Sequence, residues 1–173
     1  MSHSEKVEQR SAQWYEARKG LVTASNVGAI LGVDPYRDED DVLRAMVRDY
    51  HGAEREFTGN VATEYGTFHE AGALIEYQME TGRKVQKCGF FKADVFGASP
   101  DGLVGEDGLL EIKCPYRLRK DGDENSHRSI NVQPHYYAQM NEYLKAKNGR
   151  IKTCRYLLNF TSGIFQSLEI QII

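Results

Sequence analysis

Apolar and polar positions alternate with two different periods along this chain, and the change of period divides it. Residues 5–19 read as a helix with Val7, Trp14 and Tyr15 as its apolar contacts. Thr23-Ala24-Ser25 offers a cap to a second short helix through Ala29-Ile30-Leu31, stopped by Gly32. Asp34-Pro35-Tyr36 is a turn, and residues 38–50 resume as a helix with acidic residues in the first turn, where they suit the helix dipole. A polar loop over residues 51–60 precedes a longer helix over residues 67–80, with Phe68, Leu74, Ile75 and Met79 as apolar positions and a stop at Thr81-Gly82. The period then shortens to two: residues 85–92, 96–104 and 109–114 read as strands. A polar loop over residues 119–128, a helix over residues 133–147 rich in tyrosine, and strands over residues 155–160 and 166–173 complete the chain. Helices, a meander and a return through a helix predict one α/β domain, its sheet flanked by helices, with a helical part over residues 1–82 and a sheet part over residues 83–173.

One stretch of the meander carries chemistry. It runs Ser99-Pro100-Asp101-Gly102, then Leu110-Glu111-Ile112-Lys113-Cys114-Pro115, with Gly105-Glu106-Asp107-Gly108 between as a hairpin turn. Alternation along a strand points Glu111 and Lys113 to one face and Ile112 into the core. If Val104 pairs with Gly108, Asp101 falls opposite Glu111, so two carboxylates converge beside an amine. Carboxylates are hard ligands suited to Mg²⁺ or Mn²⁺, and a lysine beside them can hold or activate a water near a phosphate, as metal-assisted phosphodiester hydrolysis requires. The same residues also fit an ordinary solvated hairpin face, with Pro100-Asp101-Gly102 serving only as a turn.

Length and composition narrow the classes. The 173 residues are 40% apolar and 27% charged, enough for one domain with a sizeable core. No apolar run approaches a membrane span, and the polar start from Met1 to Lys6 lacks the pattern of a signal peptide. Cys88, Cys114 and Cys154 are odd in number and form no C-x-x-C; they read as small core hydrophobes in a reducing cytoplasm. The net charge of −3 shows no overall basic footprint, although an acidic metal cluster itself lowers the total. Local basic groups stand at Arg117, Arg119 and Lys120, and at Lys145, Lys147, Arg150, Lys152 and Arg155; each also reads as a solvated face. His69-Glu70-Ala71-Gly72-Ala73 lacks the second histidine of H-E-x-x-H, no phosphate loop for ATP is present, and no G-x-S-x-G elbow occurs.

Three further blocks complete a pattern with those around Asp101 and Glu111. Trp14 to Ser25 reads W-x-x-x-R-x-G-x-x-T-A-S; Gly66-Thr67-Phe68-His69-Glu70 reads G-x-x-x-E; the Asp101 and Glu111 blocks follow; and Tyr136-Tyr137-Ala138-Gln139 closes the set. Together, over residues 11–145, they resemble the phage lambda exonuclease family, the YqaJ-type viral recombinases of the PD-(D/E)XK nuclease group. That resemblance implies a restriction-endonuclease-like core with a central mixed β-sheet. It implies an enzyme that degrades one strand of linear double-stranded DNA from its 5′ end with two Mg²⁺ ions, leaving a 3′ overhang for a single-strand annealing protein in a phage-infected or lysogenic bacterium.

By resemblance, Glu70, Asp101, Glu111 and the backbone carbonyl of Ile112 hold the metals, and Lys113 orients the attacking water. Arg18 with Ser25 forms the 5′-phosphate pocket, Ser99 and Gln139 contact phosphate, and Tyr136 stands near the scissile bond. Read alone, Glu70 is a surface helix charge, Ser25 a helix cap, and Tyr136 a packing residue. The family also implies a trimeric ring around DNA, whose longer members carry further structure after the last strand, and an apolar wedge expected from residues 32–60. Two other readings stay open at this stage: a structure- or sequence-specific endonuclease on the same fold, and a catalytically silent module that binds DNA ends.

Overall fold

The computed structural model describes residues 3–5, 7–53, 59–116, 132–146, 151–159 and 165–171. They gather into two compact units, each drawn from three separate stretches of chain: residues 1–57, 88–100 and 132–151 in the first, and 58–87, 101–131 and 152–173 in the second.

In the first unit, the expected helix over residues 5–19 is much shorter. β1 (His3–Glu5) is extended and pairs antiparallel with β4 (Phe90–Ala93), and α1 spans only Ala12–Ala17. Arg10 takes a left-handed conformation, φ 68°, which no right-handed helix accommodates. Ser11 then starts α1, its side chain accepting from the Trp14 N–H at 3.1 Å. β2 (Val22–Thr23) lies parallel to β5 (Phe96–Ala98), giving a sheet ordered β1-β4-β5-β2.

α2 (Ala24–Ile30) buries Ala24, Val27, Gly28 and Ala29 and packs against α5 (Pro134–Ala146). The approach depends on Gly28, where a Cβ would fall 2.6 Å from His135 Cβ and 2.9 Å from its Cα. α3 (Glu39–His51) opens on a capping box between Asp38 and Asp41, as its acidic start anticipates. It buries only Val42 and leaves Leu43, Val47 and Tyr50 exposed.

In the second unit, α4 spans Val61–Thr81 and begins six residues before the expected start, because Asn60 and Thr63 form a second capping box. It ends at Gly82, φ 64°, as expected. Its apolar positions correct the sequence reading. Phe68 and Met79 are each 80% exposed and Ile75 57%, while Ala73 and Tyr77 are buried. Ala73 and Tyr77 pack on Val104, Leu110, Ile112, Cys114 and Leu157, the core of this unit. Its sheet runs β3 (Val85–Gln86), β6 (Gly102–Val104), β7 (Gly108–Lys113), β8 (Thr153–Asn159), β9 (Phe165–Gln171). β7 and β8 are parallel and the other pairs antiparallel.

Mixed sheets flanked by helices give the expected α/β class. Two expected strands, 85–92 and 96–104, are each divided between the two sheets. The second breaks at Ser99-Pro100-Asp101, where proline has no N–H to continue a ladder. The expected loop over residues 119–128 lies outside the described residues.

Candidate active site

The β6–β7 hairpin places the central carboxylates. Val104 pairs with Gly108 and Gly102 with Leu110, so the register carries Asp101 opposite Glu111, and the Asp101 N–H donates to the Leu110 carbonyl at 3.1 Å. Gly105 supplies the turn with φ 67°, and Gly108 closes it where a Cβ would lie 2.4 Å from the Val104 carbonyl oxygen. Ile112 is buried in the core beside Ala73 and Tyr77. Glu111 is also buried, and its Oε1 lies 2.6 Å from Lys113 Nζ. A solvated hairpin face is thereby ruled out for Glu111: β7 is covered on both faces, and the acid is held by the lysine two residues on.

The electrostatics tie Glu70 to the same place. Asp101 is pushed well above its ordinary range, first by removal from water and then by the charge of Glu111; Lys113 opposes the shift and Glu70 adds to it. Asp101 Oδ2 accepts the Ile112 N–H at 2.6 Å. Among the described residues, no three acidic, histidine or cysteine side chains are set closely enough to hold a metal as they stand. The orientation of two of them has a visible cause: Glu111 turns to Lys113, and Asp101 turns to the backbone. The donor set nevertheless suits a hard cation, since the carboxyl groups of Asp101 and Glu111 meet in a place removed from water, and the charge of Glu70 reaches Asp101.

Around the carboxylates, Tyr65 lies 4.2 Å from the His69 ring and 5.5 Å from that of Tyr116, centroid to centroid. Cys114 and Cys154 are buried as expected; burial pushes the Cys114 thiol up to about 12 and the Cys154 thiol higher still. Cys88 is half-buried and donates to the Pro100 carbonyl at 3.4 Å.

The first unit holds a separate cluster of donors. Arg18 Nη2 donates to Thr23 Oγ1 at 3.2 Å and to Ser25 Oγ at 3.4 Å, and the two hydroxyls lie 3.2 Å apart. Ser25 is therefore no helix cap: it sits inside α2, after Thr23 as N-cap. Ser99 Oγ accepts from Trp14 Nε1 at 2.7 Å, and the Arg18 guanidinium carbon stands 4.0 Å from the Trp14 ring centroid. Gln139 on α5 donates to the Tyr143 hydroxyl, and the Tyr136 ring lies 4.0 Å from that of His135. Sequence reasoning passed over Thr23 and Trp14 as functional residues. Both stand inside the W-x-x-x-R-x-G-x-x-T-A-S block, where Thr23 reads as a cap and Trp14 as a packing residue.

Of the basic groups, Arg155 is paired with Glu169 at 3.1 Å. Arg117, Arg119, Lys120, Lys147, Arg150 and the side chain of Lys145 lie outside the described residues. Among the described residues, no helix is long and apolar enough to cross a membrane.

Residues 13–148 match the model of the YqaJ-like viral recombinase domain. The fold is similar to that of the alkaline exonuclease LHK-Exo from Laribacter hongkongensis, with a TM-score of 0.76 and 26% identity over 94% of this chain and 83% of that one. The same enzyme in complex with dAMP gives a TM-score of 0.76, 27% identity and the same coverage. A phage-related exonuclease from Haemophilus somnus 129PT shares the fold with a TM-score of 0.67 at 14% identity, over 92% of this chain and 87% of that one. An uncharacterized protein, R354, of Acanthamoeba polyphaga mimivirus is 25% identical over 146 residues, covering 75% of this chain. This chain spans 25% of that relative's length.

Proposed function

The chain belongs to the YqaJ-like viral recombinase domain family, and from that membership we propose that it is a metal-dependent nuclease removing nucleotides from the 5′ end of one strand of linear double-stranded DNA. The observation that carries the reading is the opposition of Asp101 and Glu111 with Lys113 at 2.6 Å from Glu111. Glu70, Asp101, Glu111 and the Ile112 carbonyl would hold two divalent ions, Mg²⁺ by the hardness of the donors. Bound there, the cations supply Lewis-acid activation of water and stabilise the leaving 3′-oxygen.

The chain's own groups do the rest. The Ile112 N–H fixes the Asp101 carboxylate, and Lys113 holds a proton-bearing donor beside Glu111, placed to orient a water and to offset charge building on the phosphate. Arg18, Ser25, Ser99 and Gln139 would bind the terminal 5′-phosphate and adjacent backbone, as a guanidinium and hydroxyl donors suit a phosphate. Tyr136 would flank the nucleotide next to the scissile bond. The remaining strand is a 3′ overhang, suited to a single-strand annealing protein and to recombination in a phage setting.

Linear 5′-phosphorylated, linear 5′-hydroxyl and closed circular duplexes, incubated with Mg²⁺ or with a chelator, test this directly. Mononucleotides released from linear ends, fastest from phosphorylated ones, are expected only with Mg²⁺. Nicking of closed circles at a comparable rate would replace the reading with an endonuclease.

A further inference from the structure

One side chain of the first unit touches two groups assigned to the phosphate pocket, and it belongs to neither the chemistry nor the core. Trp14 lies on α1, six residues long and too short to hold its own shape. The ring's face meets the guanidinium of Arg18 at 4.0 Å, and its only donor, Nε1–H, goes to Ser99 Oγ at 2.7 Å. Each contact has a consequence for an anion. A guanidinium stacked on a ring has one face covered and its plane fixed, so its N–H groups are directed outward in that plane. They meet Thr23 and Ser25 there. A serine hydroxyl that accepts a bond from the indole keeps its own proton to donate. Gln9 Nε2 steadies the same stretch by donating to the Pro100 carbonyl at 3.1 Å and the Ser99 carbonyl at 3.5 Å.

We propose that Trp14 is the positioning residue of the 5′-phosphate pocket, holding the Arg18 guanidinium in plane and the Ser99 hydroxyl as a donor so that the two converge on one terminal phosphate. The proposal rests on the reading of Arg18, Ser25 and Ser99 as that pocket. It makes discrimination between phosphorylated and unphosphorylated ends depend on an aromatic residue that does not itself bond the phosphate.

Trp14 is the chain's single tryptophan, so its emission reports the pocket without any turnover. With a chelator present, a 5′-phosphorylated duplex is expected to shift the emission saturably and the 5′-hydroxyl duplex to leave it unchanged.

Two variants then separate the contacts. Trp14→Phe keeps a ring under Arg18 and removes the donor to Ser99. The ratio of cleavage rates on phosphorylated over hydroxyl ends should fall about threefold, the worth of one net hydrogen bond. Trp14→Leu removes both contacts, and the ratio should fall about tenfold or more, with the rate on hydroxyl ends falling much less than that on phosphorylated ends. Equal losses on both ends, leaving the ratio intact, would make Trp14 only a packing residue and overturn the inference. An equal emission response to both duplexes would overturn it as well, and needs no variant to fold. A wild type indifferent to the end phosphate removes the pocket reading itself, so failure of the premise is seen before any variant is made.

Discussion

Asp101 and Glu111 stand opposite each other where the sheet excludes water, with Lys113 as the amine that favours charge on both. Asp101→Ala, Glu111→Ala and Lys113→Ala should each lower cleavage of linear phosphorylated duplex on the order of a thousandfold while the far-ultraviolet circular dichroism is retained. Near-normal rates in any one would remove that residue from the chemistry. The same crowding sets a pH dependence. Asp101 titrates above its ordinary value of 3.8, so the folded chain holds that proton more tightly than the unfolded chain. Its contribution to stability is fully present below about pH 4 and is lost as the pH rises through the raised folded value. In a chelator, the melting temperature of Asp101→Asn should therefore gain on the wild type as the pH rises, and Mg²⁺ should close the gap by stabilising the wild type alone. A gap that does not change with pH would mean that Asp101 carries no such penalty. At the other cluster, a charge-assisted bond is worth about 1.5–3 kcal/mol. Arg18→Ala should thus slow digestion of phosphorylated ends roughly tenfold to a hundredfold and of hydroxyl ends much less; equal losses would make Arg18 a general backbone contact.

Elements were legible where one local rule settled them and obscure where a partner distant in sequence did. The β6–β7 register follows from a two-residue period and glycines at the turn, so the facing of Asp101 and Glu111 is legible in the sequence. The capping box of α3 and the glycine stop of α4 were local in the same way. β1 was not, because three residues become a strand only through pairing with β4, some 90 residues away. The solvent face of α4 was hidden for a related reason: its large residues Phe68, Ile75 and Met79 suggest the core, yet the sheet accepts the row of Ala73 and Tyr77. The donor cluster was half legible: Arg18 and Ser25 stand out in the motif, while Thr23 and Trp14 join them only through distances across α1, β2 and the end of β5. Gly28 tests how far packing governs the pocket residues. Adding a methyl group there drives it into the His135 backbone at 2.9 Å, so Gly28→Ala should cost about 1–3 kcal/mol in thermal unfolding and loosen the α2–α5 pair carrying Ser25, Tyr136 and Gln139. An unchanged melting temperature would show that the helices have room to part.

At the scale of the whole molecule, α3 leaves Leu43, Val47 and Tyr50 exposed, and α4 leaves Phe68, Ile75 and Met79 exposed, each a stripe of large apolar residues on one helix. The resemblance read in the sequence carries the expectation of a homotrimer, which a mass measurement tests. Sedimentation equilibrium at micromolar concentration should give three times the chain mass of 19.6 kDa, and a monomer that fails to assemble on DNA would count against the ring. The interleaved order of the two units has a consequence for synthesis. Strand β7, which bears Glu111 and Lys113, is flanked on one side by β6 immediately before it, but on the other by β8, made forty residues later by way of α5. Until β8 has emerged, the Glu111 strand is a bare edge and the site lacks a wall. A nascent chain that has released α5 but not yet β8 therefore already carries Glu70, Asp101, Glu111 and Lys113, yet lacks the neighbour that completes the sheet around them.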